Sequence, residues 1–113
     1  MDFSASKAGP AGNVFAGLGK DWTDVLHRSE SFEHLRRSVV DRSARRVGCF
    51  VTAARRYART CSSERRLLLA VCTVCDFGHM ADDLATGRAW QDITTGCDAR
   101  YRAAIAACVM EAP

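Results

Sequence analysis

The strongest constraint on this chain is a run of apolar or small residues whose spacing matches an α-helix. Steps of three or four residues separate its members, which are Phe32, Leu35, Val39, Ser43, Val47, Phe50, Ala54 and Tyr57. This spacing keeps one face of a helix apolar for about seven turns. A glycine inside a helix is about 1 kcal/mol less favourable than an alanine. Gly48 therefore indicates a kink or a break in this helix. We predict one helix over residues 32–59, with a break at Gly48 as the alternative.

A second helix is predicted over residues 63–85. A pair of serines precedes it, Glu64 suits its first turn, and Gly87 is a natural residue just past its end. Between residues 67 and 77 the predicted helix is apolar on nearly every face, which indicates that it is the most buried element of the fold. A buried strand over 67–75 is the competing interpretation, but helical spacing continues beyond it and favours the helix.

The rest of the chain supplies a last helix over about 97–111 and a short N-terminal helix near 22–28. Residues 1–19 are rich in glycine, alanine and serine, so we expect a flexible tail followed by a single helical domain over 20–113. With 113 residues, of which 48% are hydrophobic, the chain can bury a core of its own. The predicted fold is all-α: a compact bundle of three main helices and the short first one.

The sequence shows no membrane or secretion segment. Its longest nearly uncharged apolar run, Leu67–Cys75, is much shorter than the roughly 20 residues that a spanning helix needs. Residues 1–19 lack the apolar region of a Sec signal peptide. We therefore expect a cytoplasmic protein with reduced cysteines, and export by a non-Sec route stays open.

Cys72, Cys75 and His79 form the most specific chemical pattern. On one continuous helix they fall within about 60° of arc, and thiolates with an imidazole are ligands that zinc or copper prefers. A metal- or redox-sensing site is therefore one hypothesis. The competing interpretation makes both cysteines small apolar residues of the core, and with it we expect no cofactor. Disulfides between helices would require an exported protein.

Paired arginines are the second pattern. They occur at Arg36-Arg37, Arg45-Arg46, Arg55-Arg56 and Arg65-Arg66. Such a row of guanidinium groups could bind the phosphates of a nucleic acid. The formal net charge is only +3, however, because thirteen acidic residues balance the bases. A solvated helix face is therefore favoured over a nucleic-acid-binding surface, and the latter remains an alternative.

Catalysis has little support, because no Ser/His/Asp motif and no glycine-rich phosphate loop occur. We therefore expect a non-enzymatic interaction or regulatory module that binds another protein or itself. Aromatic and arginine side chains are typical anchors of such contacts. The candidate contact residues are Trp22, Trp90, Arg45, Arg55, Arg56 and Arg59. An unbroken 32–59 helix would be about 42 Å long, which would favour a homodimer.

Overall fold

The computed structural model describes residues 1–57, 62–85, 87, 91 and 99–111. Within these ranges the chain forms α-helices and no strand, so the all-α prediction is confirmed. The helices are α1 (Phe3–Ala8), α2 (Pro10–Leu18), α3 (Lys20–Arg28), α4 (Phe32–Arg45), α5 (Cys49–Tyr57), α6 (Ser62–Val74), α7 (Gly78–Leu84) and α8 (Ala99–Met110). No helix of the described part is long and apolar enough to cross a membrane.

The N-terminal segment is helical, and the prediction of a flexible tail over 1–19 is wrong. Helix α2 buries Val14, Phe15 and Leu18 in the core. Two of the four glycines that suggested flexibility lie at helix ends, since Gly9 precedes α2 and Gly19 separates α2 from α3, and the other two lie within α2. A few large apolar residues at helical spacing therefore outweigh the glycine content of the segment.

Helix α1 is tied to the α3–α4 region by a lysine and an aromatic pair. The Lys7 ammonium donates hydrogen bonds to the carbonyls of His27 and Ser29, at 2.7 and 2.8 Å. These carbonyls belong to the C-terminal end of α3, where a cation also complements the helix dipole. The rings of Phe3 and Phe32 meet edge to face with centroids 5.0 Å apart.

The predicted 32–59 helix is broken into α4 and α5. Gly48 has φ +80°, a left-handed conformation that only glycine adopts without strain, and Cys49 begins the next helix. The whole molecule measures 35 × 29 × 25 Å, so an unbroken helix of about 42 Å would extend beyond it. The break turns Phe50 into the core and leaves Val47 92% exposed. The length argument for a homodimer therefore no longer applies.

The predicted 63–85 helix is also broken, between α6 and α7. Asp76 has φ +70°, the Phe77 amide donates to the Cys72 carbonyl at 2.7 Å, and the Asp76 amide donates to the Thr73 carbonyl at 3.1 Å. This pair of hydrogen bonds is a Schellman motif, which ends a helix at a left-handed residue. Phe77 then packs against Phe50, with ring centroids 4.9 Å apart.

Helix α6 is the centre of the fold, as its apolar sequence predicts. Every residue from Leu67 to Cys75 except Thr73 is at most 1% exposed. Helices α2, α7 and α8 pack directly on α6. The two remaining helices lie close to their predicted positions. Helix α3 contains the short helix expected near 22–28, and α8 lies within the predicted last helix over 97–111.

Candidate functional site

The structure does not assemble Cys72, Cys75 and His79 into one site. Both cysteines are fully buried, whereas His79 is exposed on α7. The cause is the helix break at Asp76, which ends the continuous face on which the three residues were predicted to lie. Among the described residues, no group of three or more His, Cys, Asp or Glu side chains is placed to hold a metal ion.

The two cysteines belong instead to a buried thiol cluster that Cys108 of α8 completes. Burial raises the pKa of Cys72 to about 12 and that of Cys108 to about 12. The pKa of Cys75 is raised well above its ordinary value, first by burial and then by the neighbouring Cys72 and Cys108 thiols. All three cysteines pack with the apolar side chains of the hydrophobic core, where a protonated thiol behaves as a small apolar group.

Trp22 also lies in the core rather than on a contact surface. The residue is only 5% exposed, and its ring meets Phe50 edge to face at a centroid distance of 5.1 Å. The Arg42 guanidinium lies 5.8 Å from the Trp22 ring centroid and forms an ion pair of 3.2 Å with Asp21. The predicted role of Trp22 as an exposed anchor is therefore wrong, because α5 covers its ring.

The predicted contact arginines are exposed where the structure describes them. Arg45 forms an ion pair with Asp41, one helical turn earlier, at 3.0 Å. Arg55 and Arg56 are exposed near the C-terminal end of α5. Trp90 and Arg59 lie outside the described residues. The proposed contact role of these arginines stays a prediction.

The most distinctive surface feature is a recess of about 600 Å³ beside α8, which we call the acidic groove. Three stretches of the chain meet there: the start of α1, the start of α4 with the loop before it, and one face of α8. We call its apolar lining the floor: Phe3, Phe32, Ala103, Ala106, Ala107 and Met110. We call its acidic lining the rim: Asp2, Glu30, Glu33 and Glu111.

The α8 side of the groove follows from the helical repeat. Ala103, Ala106, Ala107 and Met110 are spaced by three, one and three residues, which places them on one face of the helix. The opposite face sends Ile105 and Cys108 into the core. Met110 is 82% exposed, so the groove presents a large apolar side chain to solvent.

Two cations lie beside the groove without lining it: the Arg36 guanidinium donates to the Glu111 carbonyl, and the Lys7 ammonium lies 5.9 Å from the Phe3 ring centroid. No described residue forms an ion pair with Asp2, Glu30, Glu33 or Glu111, and no described lysine, arginine or histidine lines the groove. Asp2 accepts a hydrogen bond from the Ala5 amide at 2.8 Å, which fixes it at the start of α1. The lining side chains are therefore acidic, on a chain of net charge +3.

Arg36 holds the α8 end of the groove in place. Its guanidinium donates to the backbone carbonyl of Glu111 and, through Nε, to the carbonyl of Val74 at 2.7 Å. The C-terminal end of α8 is therefore fastened to the end of α6 by a side chain of α4. These contacts give the acidic groove a fixed wall beside Met110.

Comparison with protein-family models, with curated proteins and with solved structures finds no match. Function is therefore inferred from the geometry of the groove. Its floor offers apolar contact area, and its rim offers hydrogen-bond acceptors and negative charge. A surface of this kind suits the binding of a protein segment.

Proposed function

We propose that this protein is a non-catalytic helical interaction module that binds a helical segment of another protein in the acidic groove. The observation that carries the proposal is the exposed apolar floor around Met110. An exposed methionine beside a recess suits the binding of a partner, because its flexible side chain adapts to the shape of the surface that it contacts.

The floor suits a helix because three of its α8 residues are alanines. Small side chains allow a second helix to approach α8 closely along its length. A recess of about 600 Å³ has room for a few large apolar side chains. An amphipathic helix would supply these at positions i, i+4 and i+7.

The alternatives predicted from the sequence have less support. A metal- or redox-sensing role has less support because the helix break at Asp76 leaves His79 exposed while Cys72 and Cys75 are buried. A nucleic-acid-binding role relies on the arginines of α4 and α5, where Arg45 is already paired with Asp41. We expect the module to act in the cytoplasm, on the sequence grounds given above.

The test is a selection of peptides from a random 16-residue display library against the full chain. Selected peptides are then measured against the variant Ala106→Gln/Met110→Ser, in which a longer polar side chain occupies the floor and its exposed methionine is lost. Both positions are exposed, so the variant keeps its core. We expect binding to fall at least tenfold.

The matched control is Val40→Ser/Val47→Ser, which removes two exposed apolar side chains outside the groove. Peptide binding to this control should stay within twofold of the original chain. Selected peptides that bind the groove variant as well as the original chain would refute the proposal.

A further inference from the structure

We infer that the bound segment is a basic amphipathic helix, whose apolar stripe lies on the groove floor and whose lysines or arginines face the rim. This inference rests on the proposed function and adds the chemistry of the partner. It is carried by the arrangement of charge around the acidic groove rather than by the floor alone.

The carboxylates come from three separate stretches of the chain. Asp2 precedes α1, Glu30 and Glu33 flank the start of α4, and Glu111 follows α8. A segment in the groove would therefore meet carboxylates from each of these three stretches. Its complement is an apolar stripe with positive charge beside it, because like charges at an interface oppose binding.

A second copy of the chain is a poorer occupant than a separate partner. The apolar faces of α2, α4, α5 and α6 are already buried in the chain's own core. Apart from Met1, Val109 and Met110 near the groove, the exposed large apolar residues of the described part are Val40 and Val47. These two lie in separate elements, on α4 and in the loop after it, and do not form a stripe.

A membrane surface is also a poorer occupant, because the rim carries the wrong charge. Cytoplasmic leaflets are anionic, and proteins that bind them do so through lysine and arginine. The groove instead combines four carboxylates with an apolar floor. The same combination that attracts a basic helix repels an anionic bilayer.

The experiment compares three synthetic 16-residue peptides that share one apolar face and differ only in their flanking residues: lysine and arginine, glutamine, or glutamate. Binding to the full chain is measured by fluorescence anisotropy at low and high salt. We expect the basic peptide to bind about tenfold more tightly than the glutamine peptide at low salt and to lose that advantage at high salt. The glutamate peptide should bind most weakly.

The rim is tested with Glu30→Gln/Glu33→Gln against the control Asp82→Asn/Asp83→Asn, which neutralises two exposed carboxylates on α7. Each exposed ion pair contributes a small factor to affinity, so the rim variant should bind the basic peptide about fivefold more weakly. Its affinity for the glutamine peptide should not change. The control Asp82→Asn/Asp83→Asn should bind each of the three peptides with the same affinity as the original chain.

The possible failures are distinguishable. If peptides bind the floor but the basic and glutamine versions bind equally, the charge inference is overturned and the interaction module stands. If the basic peptide binds Ala106→Gln/Met110→Ser unchanged, it binds elsewhere and the inference fails. A dimer at micromolar concentration that this variant dissociates would make a second copy the occupant and overturn the inference. If no peptide binds the groove, the proposed function fails as well.

Discussion

Cys108 illustrates how burial converts a reactive residue type into a structural one. Its thiol is almost fully buried in α8, and burial raises its pKa to about 12 from an ordinary value of 9.0. The thiol therefore stays protonated in the folded chain at any physiological pH. The cysteine count of a sequence shows the potential for metal or redox chemistry, but burial decides whether that potential is available.

A measurable consequence is that Cys108 makes the fold less stable in alkali. Between pH 9.0 and about 12 the unfolded chain loses a proton that the folded chain keeps, so the free energy of unfolding falls as pH rises. From pH 8 to pH 10 this amounts to about 1.4 kcal/mol for one thiol. Guanidinium unfolding at pH 8 and pH 10 measures the fall for the original chain and for Cys108→Ala. The free energy of unfolding should fall by about 1.4 kcal/mol less in Cys108→Ala than in the original chain. Equal falls would mean that Cys108 is accessible to solvent.

At the scale of the helices, the two breaks decide where side chains point. Gly48 could be recognised from the sequence as a candidate break, because glycine is the residue that left-handed backbone favours. Asp76 gave no such signal, since most aspartates do not adopt positive φ. The single break at Asp76 is what separates His79 from Cys72 and Cys75.

The break at Asp76 predicts a stabilising substitution. Asp76→Gly relieves the left-handed strain at the end of α6 and should raise the free energy of unfolding by about 0.5–1 kcal/mol. The control Asp82→Gly lies inside α7 and should lower it by about 1 kcal/mol. Thermal or denaturant unfolding measures both. If Asp76→Gly destabilises the chain as Asp82→Gly does, residue 76 lies within a continuous helix.

At the scale of the whole molecule, residues 3–18 pack as part of the folded core. Gly17 of α2 packs so closely on Tyr57 of α5 that an added Cβ would lie 1.9 Å from a ring carbon. Tyr57 cannot easily move, because it is largely buried and its hydroxyl donates to Glu64 at 2.7 Å. The packing of α2 and α5 therefore requires glycine at position 17.

Gly17→Ala should consequently lower the free energy of unfolding by about 1–3 kcal/mol through overpacking. Gly78→Ala is the matched control, because its added Cβ meets no atom within 4 Å and its stability should be unchanged or slightly raised. Chemical denaturation compares the two variants with the original chain. A Gly17→Ala protein as stable as the original would show that the N-terminal segment does not pack on α5.

The parts of the structure that the sequence predicted are those that depend on local pattern. The uniform apolar character of 67–75 was enough to identify α6 as the central element. In residues 1–19 the glycines and alanines obscured Val14, Phe15 and Leu18, whose burial depends on contacts with distant helices. The acidic groove could not be predicted from local pattern either, because its residues come from three separate stretches of the sequence.

Met1 and Glu111 line the same groove, so the two ends of the described chain lie close together on one side of the molecule. A purification tag attached before Met1 would begin at the rim and compete for the floor. The position and length of any fusion therefore change the accessibility of this surface without altering a single residue in it.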